Sequence, residues 1–338
     1  MARFTINRST FGTHETVVLE DTAGGTKAVL ARLGASLLSF HVPLGGEPFD
    51  ITDGFATPEE LAQRSCGRAI LMAPFSNRID DGKYEFGGQG HDLGVTDTKN
   101  RVILHGFVSK AAWDVTAETA GDASASVTFI TRAIRQGAFR GYPFDVDVSV
   151  AYTVKPARLE VEMAARNVGK TDAPFGGGWH PYFRTSAKGI DRLRLIIPCR
   201  TRIATDQRLL PLAGDAAYVP IEKSPEFDFR PGRPGDGNVL GKRFIDGAFA
   251  DLETDCGGWA HTTIEDVETR RRIVVFQERG LMHVFTGDPL PVRGRLALAL
   301  EPVEFMTNAF NRPECRAGIT LKAGAERRFR FGVEAATF

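Results

Sequence analysis

Strict two-residue alternation dominates this chain. In 145–154, DVDVSVAYTV, the residues Val146, Val148, Val150, Tyr152 and Val154 fall on one side of an extended segment, with mainly polar residues on the other. The segment 158–167, RLEVEMAARN, repeats the pattern with Leu159, Val161, Met163 and Ala165, and only a short KPA connection separates the two. A period of two with so tight a link predicts an antiparallel hairpin over an apolar core. The same alternation recurs at 125–133, 191–197, 271–276 and 327–333. Evidence for helix is confined to 57–64, TPEELAQR. There Thr57 suits an N-cap, Pro58 the first helical position, and Glu60 lies three residues after the cap. The pattern predicts an all-β protein with few short helices.

Composition narrows the partners. With 338 residues and 42% hydrophobic content, the chain can bury a sizeable core without a disulfide or metal staple. β-Sandwiches run this long as one unit, so residues 1–338 are expected to form a single domain. The least regular segment is 205–243, rich in Pro, Gly and charge, with little strand pattern beyond AAYVPI. It reads as a long excursion on the rim of that domain. Lys+Arg and Asp+Glu both number 42, so the formal net charge is zero. That balance gives no reason to expect nucleic acid or an anionic membrane as partner, and it suits a monomer or a dimer equally. No run of about 18 apolar residues occurs, and MARFTINRST shows neither the apolar stretch nor the small-residue cleavage site of a secretory leader, so none is expected. Cys66, Cys199, Cys256 and Cys315 stand apart with no CxxC pair, which suits a reducing cytoplasm. GxGxxG after a strand, GxxxxGK[ST], HExxH and GxSxG are absent, and the seven histidines form no i, i+4 pair. The expectation is chemistry by ordinary acids, bases and hydrogen-bond donors, with no metal and no cofactor.

Four stretches carry such groups. In APFSNRIDDGKYEFGG (73–88), Asn77 and Arg78 stand before a tight turn at Asp80-Asp81-Gly82. An amide beside a rigid guanidinium fork suits vicinal hydroxyls, although Arg78 could simply pair with Asp80 or Asp81. In RVILHGFVSK (101–110), His105 closes an apolar run next to Gly106, free to face a ligand or to serve as a structural hydrogen-bonder. GGGWHPYFRT (176–185) sets His180 behind three glycines, which either make room for something to approach the imidazole or serve the backbone alone. In RLALALEPVEF (295–305), Glu301 ends an apolar strand before Pro302, where hydrophobic walls shift its pKa or demand a partner, unless it reaches solvent.

Taken together and in this order, these stretches resemble the aldose 1-epimerases, or galactose mutarotases. The matching pieces are NRI with the DGKYEFGG hairpin, LHGF with Trp113 six residues on, HPYF, FIDGAF, VFTG and LEP…NAFN, running from about residue 10 to 335. The resemblance implies a large antiparallel β-sandwich, the so-called supersandwich, with a sugar groove across one sheet, and a monosaccharide as partner. It also implies that Glu301 is the general base, His180 the general acid, and Asn77, Arg78, His105 and Asp246 the sugar-binding residues, with no cofactor. The chain departs from the family at GGGW, at DGAF and through 205–243, regions taken to shape the groove.

The implied reaction fits these side chains. Interconverting α and β anomers requires a base for the C1 hydroxyl and an acid for the ring oxygen. A glutamate near its usual range is ionised at neutral pH, and neighbouring acidic groups can keep a histidine cationic. Two other readings stand beside it. A hexose-6-phosphate 1-epimerase would need cations converging on a phosphate, with Arg68, Arg101 and the GKR at 241–243 as candidates. A carbohydrate-binding protein without catalysis would keep the sandwich alone. Hydrolysis, which uses two carboxylates across the bond, fits a Glu–His pair poorly.

Overall fold

The alternating segments form the strands that their periodicity predicts. A computed structural model describes residues 2–233 and 237–338. Val146–Lys155 and Arg158–Asn167 pair in a hairpin whose register runs from Lys155 opposite Arg158 to Val146 opposite Asn167. This hairpin lies inside an antiparallel sheet of eight strands. Their order is Asp114–Ala120, Ala125–Ile134, Val146–Lys155, Arg158–Asn167, Glu326–Thr337, Arg271–Gln277, Ala260–Asp266 and Arg194–Ile196. A second large sheet carries Tyr218–Pro220, Cys199–Ile203, Asp246–Leu252, Leu281–Phe285, Leu298–Val303, Gly178–His180 and Ile70–Met72 in that order, with Tyr182–Phe183 added against Leu298–Val303. A five-stranded meander, Phe4–Phe11 to Glu47–Asp50, completes the principal sheets.

The core lies between the two large sheets. Val146, Val148, Val150, Tyr152 and Val154 are all fully buried, as the alternation predicts. Opposing them from the second sheet are Phe249, Met282, Val284, Leu298 and Leu300. The predicted helix is Pro58–Gln63, with the Thr57 hydroxyl accepting from the Glu60 backbone N–H at 3.2 Å. Of the predicted strand 191–197, only Arg194–Ile196 pairs as strand, because it forms the sheet's outer edge.

Within 205–243, the described residues pack against the sandwich. Ile221, Phe229 and Leu240 are fully buried, and Asn238 donates to the carbonyls of Leu195 and Phe229 at 2.8 and 2.9 Å. Its strand Tyr218–Pro220 extends the second sheet at the rim.

Candidate active site

The period of two that builds the core also builds a polar floor on the opposite face of the second sheet. Met282 and Val284 point into the core, so His283 between them points out. Leu298 and Leu300 send Glu301 to that same outer face, directly across from His283 in the register. Phe249 packs inward while Asp246 lies on the outer face with Ala248 and Ala250. Trp179 packs inward on Phe331 with ring centroids 5.6 Å apart, and His180 turns outward. One concave face thus collects Asp246, His283, Glu301 and His180 from four neighbouring strands.

Two irregular stretches close over this floor. Asn77 has a left-handed backbone (φ 56°), a conformation asparagine tolerates, and Arg78 opens the strand Arg78–Asp80. Asn308 pins that strand, its N–H donating to the Arg78 carbonyl at 2.8 Å and its side-chain oxygen accepting from the Asp80 N–H at 3.1 Å. His105 (φ 61°) follows Val102–Leu104, which pairs with Arg78–Asp80. Gly106 comes next with φ 68°, and a Cβ there would stand 2.0 Å from the Ala73 carbonyl oxygen, so the LHGF turn requires glycine.

A cavity of about 620 Å³ opens over these groups, within the range of about 300–1,000 Å³ common for small-molecule sites. All six residues singled out in the sequence line it: Asn77, Arg78, His105, His180, Asp246 and Glu301. His283 lines it too and was missed. Its signal was legible, since a polar residue between Met282 and Val284 must leave the core.

Arg78 ignores Asp80 and Asp81, which pair with Arg208 and Arg101. Its Nη2 donates to Asp246 at 3.2 Å and its Nη1 to the Asn77 side-chain oxygen at 2.8 Å. His283 Nε2 donates to the other Asp246 oxygen at 2.9 Å. Burial alone would raise the Asp246 pKa, but the His283 hydrogen bond and the charges of His283 and Arg78 hold it well below the usual carboxylate range. Burial likewise opposes charge on His283, yet Glu301 and Asp246 together raise its pKa.

His180 Nε2 lies 3.3 Å from Glu301 Oε1. Glu301 Oε2 and His180 Nδ1 are buried without a hydrogen-bond partner among the described residues. Tyr182 stacks on the His180 ring at 5.1 Å and His105 meets it edge-on at 5.3 Å. The charge states differ from the sequence expectation. Burial pushes Glu301 up to about 8 and His180 down to about 3, instead of leaving the carboxylate near its usual range and the imidazole cationic. Burial also takes His105 well below its ordinary value. The strand carrying Glu301 runs on to Val303, so the carboxylate sits inside a strand, 1% exposed, and does not reach solvent.

Two further expectations are corrected. Gly176–Gly178 do not leave open space around the backbone. A Cβ at these positions would meet the Phe305 ring at 2.8 Å, Met163 Sδ at 2.8 Å and Val303 Cγ1 at 2.9 Å respectively, so the glycines permit close packing. Segment 205–243 does not shape the groove: among the described residues, none of it lines the cavity. The candidate phosphate cations also lie elsewhere. Arg68 is buried on Asp53, Arg101 pairs with Asp81, Lys242 reaches Asp191, and Arg243 donates to the Val239 carbonyl.

The fold and the outward-facing floor together define a galactose mutarotase-like β-sandwich. The chain matches the family model for aldose 1-epimerase over residues 15–334 and belongs to that family. It is 26% identical to the Escherichia coli K12 protein YihR over 255 residues, covering 75% of this chain and 74% of YihR. Among solved structures, it is similar to a galactose mutarotase-like protein from Clostridium acetobutylicum (TM-score 0.82, 17% identity, 99% of each chain). It is also similar to galactose 1-epimerase from Lactobacillus acidophilus NCFM (TM-score 0.79, 15% identity, 99% of each chain). No helix among the described residues is long and apolar enough to cross a membrane.

Proposed function

We propose that the protein is a mutarotase that interconverts the α and β anomers of an aldose by acid–base ring opening. The observation that carries this reading is the Glu301–His180 contact at the cavity floor, with Glu301 Oε2 buried and unpartnered among the described residues. Both oxygens that exchange protons in the reaction, O1 and O5, are bonded to C1. The base and acid that serve them must therefore be neighbours, and a Glu–His contact meets that need better than two groups on opposite sides of the ring. Glu301 accepts the proton of the C1 hydroxyl and His180 donates to O5. The C1–O5 bond then breaks to give the open-chain aldehyde. Rotation about C1–C2 presents the other face, and closure reverses both transfers.

Burial favours the neutral forms of both groups, but the catalytic arrangement needs a carboxylate facing an imidazolium. A sugar hydroxyl donating to Oε2 favours the carboxylate, and the His283 and Arg78 charges do the same. The carboxylate in turn favours the proton on His180. Asn77, Arg78, His105 and Asp246 line the remaining floor and are assigned to the sugar hydroxyls. NMR exchange between anomers of glucose, galactose, xylose, arabinose and glucose 6-phosphate tests the reading. Wild type should accelerate exchange for at least one aldose, and His180→Asn should lose about 10²–10⁴-fold, the usual contribution of one positioned proton-transfer group. Exchange no faster than in buffer for every sugar would overturn it.

A further inference from the structure

We propose that the cavity wall formed by Arg64 and Lys110 is a subsite for an anionic substituent, making the substrate a charged aldose. The inference rests on the reading that the cavity binds an aldose, and specifies which kind. Arg64 is 8% exposed and lines the cavity. Its Nε donates to the Ser109 carbonyl, but Nη1 and Nη2 are buried with no acceptor among the described residues, and no carboxylate pairs with it there. Other buried arginines are paired: Arg68 with Asp53 and Arg312 with Glu314. A buried charge without a partner is strongly unfavourable. Burial accordingly pushes the Arg64 guanidinium down to about 10.

The backbone adds strain at the same place. Arg64 and Cys66, neither a glycine, both hold left-handed conformations (φ 61° and 58°), each costing about 1–3 kcal/mol. The strained turn lies beside the proposed acid, since a Cβ on Gly67 would sit 3.6 Å from the His180 ring. Because Arg64 is tied to Ser109, the next residue, Lys110, joins the same wall. It is exposed, lines the cavity, and has no ion pair among the described residues. Arg78, which also lines the cavity, is already neutralised by Asp246, so among the described lining residues Arg64 and Lys110 are the arginine and lysine left to receive a charge. As it stands the Arg64 tip is covered, so seating an anion requires the side chain to turn about its Nε anchor toward the lumen. A planar fork and an ammonium together suit a phosphate, sulfate or carboxylate carried by the sugar.

Anomer exchange measured on glucose, glucose 6-phosphate, glucose 6-sulfate and glucuronate distinguishes the sources. At least one anionic sugar should exceed glucose in kcat/KM by about tenfold or more, the equivalent of one charge-assisted hydrogen bond. Arg64→Gln should erase most of that preference, Lys110→Gln part of it, and Arg64→Lys should retain more than Arg64→Gln. Glucose preferred over all three anions, or an equal loss on neutral and anionic sugars in Arg64→Gln, overturns the subsite and leaves the mutarotase reading standing. If no sugar exchanges, the mutarotase reading fails, and melting decides the subsite. One of the three anionic sugars should then raise the Tm of wild type and not that of Arg64→Gln; no such shift overturns it.

Discussion

Burying Glu301 beneath a cavity changes what its proton does. With its pKa pushed up to about 8, the carboxylate is the minority form at neutral pH. The reactive pair, a Glu301 carboxylate facing a His180 imidazolium, holds the same single proton as the neutral pair, so kcat/KM of the free enzyme should be level up to about 8 and fall about tenfold per pH unit above it. Stability should follow the same proton. The folded state holds this proton more tightly than the unfolded chain, so the favourable contribution is complete below the ordinary glutamate range and is lost as pH rises through about 8. Glu301→Gln cannot ionise. It should abolish exchange yet melt higher than wild type at pH 9, by on the order of a few kcal/mol in free energy. Paired thermal melts at pH 6 and 9 check this, and equal melting points at pH 9 would count against a buried, ionising Glu301. His283 acts on the same proton from the neighbouring strand. Replacing it with glutamine removes a cation facing Glu301, so the basic limb of kcat/KM should shift to higher pH. A raised KM with an unmoved limb would mean that His283 only holds the sugar.

Single strands do two jobs here, and the glycines show how. Gly177 donates its N–H to Glu304 at 2.8 Å and lies against Met163 from the hairpin of the opposite sheet. Gly177→Ala should overpack this contact and lose about 1–3 kcal/mol by urea denaturation. Gly106→Ala should lose at least about 2 kcal/mol, because a Cβ would strike the Ala73 carbonyl and a left-handed φ is disfavoured for alanine. These elements also show what was legible beforehand. The hairpin at 145–167 and the helix Pro58–Gln63 follow from local periodicity and capping, so they could be read from sequence, whereas Glu301 and His180 were singled out through the family resemblance. His283 carried the same alternation signal and went unread only because the stretch is short. The role of Gly176–Gly178 was not legible, since Phe305, Met163 and Val303 reach them from distant segments. Nor was the protonation of Glu301 and His180, because pKa depends on burial, which only the assembled cavity fixes. The Arg64 wall was hidden for the same reason: nothing in TPEELAQRSCGR shows that Arg64 will lack a partner.

At the scale of the whole molecule, the core and the site meet at one strand. Trp179 and His180 are adjacent on Gly178–His180 and face opposite ways. The indole stacks on Phe331 of the other large sheet at 5.6 Å and meets Phe183 edge-on at 6.0 Å, while the imidazole contacts Glu301. The indole Nε1 is buried without an acceptor among the described residues, so Trp179 is kept for its shape and area, not for a hydrogen bond. Trp179→Phe should therefore be mild, because it removes an unpaired donor along with some packing. Trp179→Ala should leave a cavity between the sheets and lose about 3–5 kcal/mol. Relaxation into that cavity pulls the strand inward and draws His180 away from Glu301, so anomer exchange should fall as well, well below that of Trp179→Phe. Urea denaturation and NMR exchange on both variants separate the two effects. If Trp179→Ala loses stability but keeps wild-type kcat under native conditions, the His180–Glu301 contact is held by the cavity wall itself, through Tyr182 and His105, and the sandwich core does not set the geometry of the chemistry.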